Sequence, residues 1–376
     1  MKIGIICYPA FGGSGIVATE LGVELAKQGH EIHFIVAQQP VRLSNFVYNV
    51  WVHQVQLQEG QYPVFTHQPY EWALISKIVE VALQHDLDCL HVHYAIPHAS
   101  AAYMAKQILA DKGKRLPFLT TLHGTDITLL GQLPLFKSVI EFAINHSDAV
   151  SAVSESLKKD TLRHFDIHKP IHVVYNFIDT NAPTSAPCVE IREKFLQDTP
   201  FCLAHVSNFR KVKRTPEVVQ IFAKLRKKRP CKLLMAGDGP EKLACEQLAK
   251  TLNCEKDILF LGNISCVDAV LALADAFILP SEQESFGLAA LEAMAAGCVV
   301  ISSDAGGIPE VNRHEQTGYV LPIGAVDQMV EALDRLAGNP ALMNTMKHNA
   351  RARAASFSVG KIIPQYIEIY QKITKK

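Results

Sequence analysis

The chain repeats one unit many times over: an apolar run, a loop of small residues, then a segment with helical spacing. Apolar runs at 2–7, 31–36, 89–93, 118–122, 149–153 and 171–174 read as strands. Between the first two, Ile16, Val17, Leu21, Leu25 and Ala26 share one helix face, and Gly29 stops the helix. Strands alternating with helices require a parallel sheet covered on both faces. At 179–200 the texture changes to the polar, Pro-rich Thr180-Asn181-Ala182-Pro183-Thr184-Ser185-Ala186-Pro187, which reads as a linker. A second series follows, with strands at 201–206, 232–236, 258–261, 276–279 and 299–302 and helices at 216–227, 241–252 and 288–296. Two more helical patterns, at about 340–355 and 359–374, close the chain. The expected fold is α/β: two Rossmann-like domains, 1–178 and 201–358, their parallel sheets facing across a deep cleft. Whether the last helix, about 359–376, crosses back to the first domain is open at this level. Ligands of such sheets bind beyond the carboxyl ends of the strands, so the cleft is the expected site.

Composition excludes several classes. With 376 residues, 37 Lys+Arg and 37 Asp+Glu, the formal net charge is zero, which argues against nucleic-acid binding. Apolar residues at 48% and charged residues at 20% are those of a globular chain. No stretch approaches the roughly 18 apolar residues of a membrane span. The apolar run after Met1 is too short for a signal peptide. Nine cysteines without C-x-x-C spacing read as reduced, buried thiols. The expectation is a cytoplasmic protein that binds neither membrane nor nucleic acid.

Five clusters carry chemistry. Gly12-Gly13-Ser14-Gly15 opens the first helix and suits an anion at a helix N-terminus. It lacks G-x-G-x-x-G spacing, and the second strand ends Val36-Ala37-Gln38-Gln39 without the acid a dinucleotide site needs. A tight structural turn is the remaining reading. His91 and His93 share a strand face, but no carboxylate or cysteine follows at ligand spacing, so no metal is expected there. His93 and Tyr94 are expected to line the cleft. Thr120-Thr121-Leu122-His123-Gly124-Thr125-Asp126 brings His123 to the end of a strand. In 207–214, Arg210, Lys211, Lys213 and Arg214 put four cations in five positions at a sheet's carboxyl edge. That suits a diphosphate, although such a run is elsewhere often just a solvated loop. The fifth cluster is Pro280–Met294. There Ser285 and Gly287 leave N–H groups free at a helix start, and Glu292 is expected to be ringed by Leu288, Ala289, Ala290, Leu291, Ala293 and Met294.

Glu284 and Glu292 form an E-x7-E motif. With Gly237-Asp238-Gly239-Pro240-Glu241, Phe260-Leu261-Gly262-Asn263 and Gly306-Gly307-Ile308-Pro309-Glu310, it resembles the retaining, nucleotide-sugar-dependent glycosyltransferases of family 4, of GT-B fold, over essentially the whole chain. The loops at 7–15, 93–98, 120–128, 175–179 and 207–214 resemble the branch that makes N-acetyl-α-D-glucosaminyl L-malate for bacillithiol. The resemblance implies transfer from UDP-N-acetylglucosamine to L-malate without cofactor or catalytic metal. It implies that Arg210 and Lys213 neutralise the diphosphate, that Glu284 binds sugar hydroxyls and that Glu292 binds the ribose. Ser285, Phe286, Gly287 and Leu288 match contacts to sugar and β-phosphate, Asn263 the uracil, and His123 the active-site histidine near the sugar. Ser14, Tyr94, Thr121 and again Arg210 match the acceptor side, with Gly13 beside them as a donor contact. Two departures stand out: Val299 replaces a frequent Pro, and Ser207-Asn208-Phe209 replaces Gly-Arg-Leu, so the arginine role passes to Arg210. Rival readings are another small acceptor, a UDP-N-acetylglucosamine epimerase and a non-enzymatic sugar-binding protein. An apolar helix face in the first domain would serve a homodimer or a core equally.

Overall fold

All named strand pairs are parallel in the computed structural model, which describes residues 1–8, 12–43, 46–56, 70–179, 186–264 and 266–375. The chain divides into two units, one of Met1–Asn176 with Val359–Lys376 and one of Phe177–Ser358.

The first unit holds β1 (Lys2–Ile6), β2 (Glu31–Val36), β3 (Val50–Gln54), β4 (Cys89–His93), β5 (Phe118–Leu122), β6 (Ala149–Ala152) and β7 (Ile171–Val173). They form a seven-stranded sheet of order β3-β2-β1-β4-β5-β6-β7. β4 and β5 are buried throughout, as strands covered by helices on both faces must be. Helices Tyr70–Gln84 and Ser100–Asp111 pack Leu74, Ile78, Ala102 and Leu109 against Ile35, Leu90 and Phe118. The final helix, Val359–Thr374, belongs to this unit and contacts β4, β5 and the helix Gly13–Lys27. Its buried residues Ile362, Ile363, Tyr366, Ile369, Tyr370 and Ile373 recur at helical spacing.

The second unit holds β8 (Cys202–Val206), β9 (Lys232–Ala236), β10 (Ile258–Gly262), β11 (Ala276–Leu279), β12 (Val299–Ser303) and β13 (Gly318–Leu321), a six-stranded sheet of order β10-β9-β8-β11-β12-β13. Its core joins Leu203, Leu233, Ile278 and Ile301 of the sheet to Val219, Phe222, Met329 and Leu333 of the covering helices.

Three sequence expectations change. The segment at 179–200 is not a linker throughout: its described part includes a helical turn at Ile191–Leu196, and it belongs to the second unit. Within it, 180–185 lie outside the described residues. Strands β3 and β13 were not expected. All nine cysteines are free, and Cys266 is exposed rather than buried, with Cys188 half-buried.

Candidate active site

Each sheet reverses its strand order once, and the loops that matter meet at those reversals. In the first unit the order runs outward from β1 to β2 and β3, then returns to β4 on the other side. A crevice forms where strand order reverses, at the carboxyl ends. There, Tyr94 after β4 donates its hydroxyl to Ser14 Oγ at 2.7 Å, across the start of the helix Gly13–Lys27. That helix has Gly12 before it, no side-chain cap and no acid in its first turn, so its leading N–H groups keep free donors for an anion. Tyr94 has φ +83, a conformation costly for a side-chain-bearing residue. It is held there by its own N–H on the Thr121 carbonyl at 2.9 Å and by the next N–H, of Ala95, on Asp126 Oδ2 at 2.9 Å.

The β5 loop adds the histidines. His123 Nε2 lies 2.7 Å from His93 Nδ1, and their rings stack. Beneath them, His91 bridges Tyr370 Oη and Thr121 Oγ1, each at 2.7 Å. Burial lowers both His91 and His123 to about 3, so these rings are neutral and each shares its protons within the network. Asp126, which accepts from the N–H groups of Ala95 and Gly124, is raised to about 6 by burial, against the opposing pull of those hydrogen bonds. Its two oxygens tie the β4 loop to the β5 loop. The sequence motif contained Asp126 but gave no hint of that task. Thr121 is fully buried, with its hydroxyl also on Ser151 Oγ at 2.7 Å. Its side chain is therefore committed to this network and offers an acceptor no hydroxyl. His93, expected to line the cleft, is likewise fully buried.

In the second unit the reversal falls between β8 and β11. The cationic loop after β8 and the acidic loop after β11 are joined there, Glu282 N–H donating to the Val212 carbonyl at 2.8 Å. Lys213 Nζ sits 2.5 Å from Glu284 Oε1, which also takes the Ser281 hydroxyl at 3.3 Å. Arg214 pairs with Glu217 and, at 3.7 Å, with Glu282. The loop is thus less uncompensated than its four cations suggest. Arg210 and Lys211 are exposed and, among the described residues, carry no ion pair.

Close backbone packing sets the loop walls. A Cβ on Gly237 would lie 1.7 Å from the Ser207 carbonyl oxygen, and one on Gly306 would lie 2.0 Å from that of Glu284. Only glycine fits either place. Glu284 is fixed further by its carbonyl accepting the Gly307 N–H at 2.9 Å. Gly287, at φ +94, opens the helix Leu288–Ala296, which has no side-chain cap. Phe286 is buried with its ring edge against Phe357, and Asn263 is exposed just beyond β10. Of the apolar residues expected around Glu292, Leu288 and Ala289 share its side of the helix and the other four do not. Glu292 is half-buried on a stripe with Leu288, Ala289, Ala295 and Ala296, while Ala290, Leu291, Ala293 and Met294 form the buried face. This stripe puts Glu292 on the same helix face as the helix start, one turn on.

Comparison with known proteins decides the family. Residues 11–182 match the Glycosyltransferase Family 4 pattern and residues 189–353 match Glycosyl transferases group 1. Over its full length the chain is 45% identical to the N-acetyl-alpha-D-glucosaminyl L-malate synthase of Bacillus anthracis, covering 98% of that protein. The chain belongs to glycosyltransferase family 4. This glycosyltransferase is also 25% identical to an uncharacterised glycosyltransferase of Methanocaldococcus jannaschii, over 99% of its own length and 98% of that protein's. Among solved structures it resembles Anabaena HepE in complex with UDP and glucose, with TM-score 0.82, 20% identity and coverage of 99% of this chain and 100% of that one. It also resembles the sucrose-phosphate synthase of Thermosynechococcus elongatus, with TM-score 0.79, 20% identity and coverage of 99% and 98%. The expected α/β class, with two Rossmann-like domains, holds for this glycosyltransferase. Among the described residues, no helix is long and apolar enough to cross a membrane.

Proposed function

We propose that the chain transfers N-acetylglucosamine from UDP-N-acetylglucosamine to the hydroxyl of L-malate, with retention at the anomeric carbon, as a cytoplasmic step toward bacillithiol. The observation that carries this reading is the 45% identity to the Bacillus anthracis synthase along the whole chain. The geometry supports a division of labour. The second unit takes the donor: Arg210 and Lys213 face the diphosphate, the helix start at Gly287 and Leu288 offers N–H groups to the β-phosphate, with Ser285 and Phe286 beside the sugar. Glu284 takes sugar hydroxyls, Glu292 the ribose and Asn263 the uracil. The first unit takes the dianionic acceptor with the uncapped helix start at Gly13 and Ser14 and with Tyr94, and His123 meets the sugar.

Among the described residues no side chain offers itself as a nucleophile, since Glu284 already pairs with Lys213 and Glu292 lies on the helix. We therefore assign front-face substitution. The malate oxygen bonds to the anomeric carbon as the bond to the β-phosphate oxygen breaks, and that oxygen takes the hydroxyl proton. Positive charge near the departing diphosphate supplies much of the rate. The reaction needs no catalytic metal on this reading.

The test is incubation with UDP-N-acetylglucosamine and a panel of hydroxy acids, sugars and inositol phosphate, in EDTA, reading UDP release and product mass. A glycoside formed with L-malate alone is the expected result. Product with another acceptor only, or turnover without any acceptor, overturns the assignment.

A further inference from the structure

Away from the strand-order reversals, three histidines that no proposed role uses meet at the outer edge of the first sheet. His33 is the third residue of β2, His53 the fourth of β3, and His85 directly follows the helix Tyr70–Gln84. In the parallel register His33 faces Trp51 and Ile35 faces His53, so both histidines point to the same sheet face, the one this helix covers. One ring nitrogen of each lies within 4.8 Å of the other two. His33 Nδ1 and His53 Nε2 are already 2.9 Å apart, and the ring centroids of His33 and His85 are 4.5 Å apart.

Two features set this cluster apart from ordinary aromatic packing. His33 is 1% exposed, yet its Nε2 has no hydrogen-bond partner among the described residues. Leaving a buried polar atom unpaired costs about 1–3 kcal/mol. Burial and the two neighbouring imidazoles also lower His33 to about 4 and His53 below its usual value. These two rings are therefore neutral, the form that binds metals. The charged groups beside them are Lys2 from β1 and Lys77 and Glu80 from the helix, and the last two pair with each other at 2.8 Å.

We propose that His33, His53 and His85 form a three-imidazole site for a divalent late transition-metal ion such as Zn2+, which braces edge strand β3 to β2 and to the end of the helix Tyr70–Gln84. Neutral nitrogen ligands favour zinc, copper and nickel over magnesium and calcium. With Zn–N bonds of 2.0–2.1 Å, tetrahedral ligand nitrogens sit about 3.4 Å apart. His53 and His85 are half-buried, so small ring rotations toward the fixed His33 close the site and leave a fourth position for water. β3 is the edge strand, two places from β1, so the ion is a structural brace and takes no part in transfer.

The experiment uses the untagged full chain, stripped with EDTA and titrated with Zn2+ against a chromogenic chelator, with native mass spectrometry for stoichiometry. We expect one Zn2+ per chain, a higher Tm on loading, and at least about tenfold weaker binding in His53→Gln and in His85→Gln. Transferase activity is expected to be the same with and without the ion. X-ray absorption of the zinc-loaded wild type reads the site without any variant. A nitrogen shell with no sulfur is expected, and a sulfur shell, which would point to the accessible Cys188 and Cys266, overturns the proposal. So does zinc binding that both variants leave unchanged, or no stoichiometric binding at all.

Discussion

Lys213 and Glu284 are assigned to opposite parts of the donor, yet they bind each other, and this makes their two roles separable. Their side chains are 20% and 12% exposed, so the 2.5 Å pair is largely desolvated. Replacing Lys213 with Met leaves Glu284 with only the 3.3 Å Ser281 hydroxyl among its described side-chain partners. Breaking a buried pair costs about 3–5 kcal/mol, and the residual water contact here brings that to about 2–3 kcal/mol. For a unit of this size that lowers its Tm by roughly 4–12 °C. Glu284→Gln strands the lysine and should cost a similar amount. The double variant Lys213→Met/Glu284→Gln removes both charges and should recover most of the stability, leaving a deficit of about 1 kcal/mol or less. Catalysis should not follow. If Lys213 stabilises the departing diphosphate, kcat falls by about 10²–10³ in Lys213→Met and stays low in the double variant. Differential scanning calorimetry and steady-state UDP release on the four proteins complete the cycle. A double variant that regains wild-type kcat would refute a catalytic role for Lys213, leaving the pair as scaffolding.

Glu292→Ala should raise donor KM while leaving kcat near wild type, measured by varying UDP-N-acetylglucosamine; an unchanged KM removes the ribose assignment. Asp126→Asn keeps the shape but turns an amide donor toward one of two N–H groups, Ala95 or Gly124. A loss of about 1–3 kcal/mol in urea unfolding is expected, with malate KM raised as the Tyr94 loop loosens; wild-type values of both would show that Asp126 ties nothing together. Stability should fall as pH drops from 6.5 toward 4. His91 and His123 at about 3 and His98 and His205 at about 4 bind protons less readily when folded, so their contribution is complete above 6.5 and is lost below it. Asp126, raised to about 6, acts in the opposite sense, since its cost grows as pH rises from 3.8 to 6, but it is one group against four. A Tm that stays level or climbs down to pH 4 would contradict this.

Strands β4 and β5 coincide with the sequence reading residue for residue, because Cys89–His93 and Phe118–Leu122 are uninterrupted buried runs. β3 escaped because Val50–Gln54 is an edge strand in which no residue is fully buried and Trp51 and Gln54 are exposed. β13 escaped because it is four residues opening on a glycine. The candidate loops were legible from small residues and charge at strand ends. Their partners were not. The pairing of Lys213 with Glu284 joins residues 71 positions apart, and that of His93 with His123 joins residues 30 apart. No local periodicity encodes such distances. The expected ring around Glu292 held only for Leu288 and Ala289, because the other four residues turn to the core. The helix Leu288–Ala296 is only nine residues long and rich in alanine, so its sequence carries little amphipathic signal to say which side turns to the core.

The helix Val359–Thr374 has a bearing on how the protein comes into being. Tyr366 and Tyr370 are among the largest fully buried side chains, and Tyr370 supplies a partner for His91. The first unit therefore waits, during synthesis, for residues translated after the whole of the second. Until they arrive, the face of β4 and β5 that carries His91 and Thr121 lies uncovered, and its polar network lacks the Tyr370 hydroxyl. A fragment ending at Asn176 should aggregate, whereas the same fragment fused to residues 359–376 through a flexible tether should stay in solution.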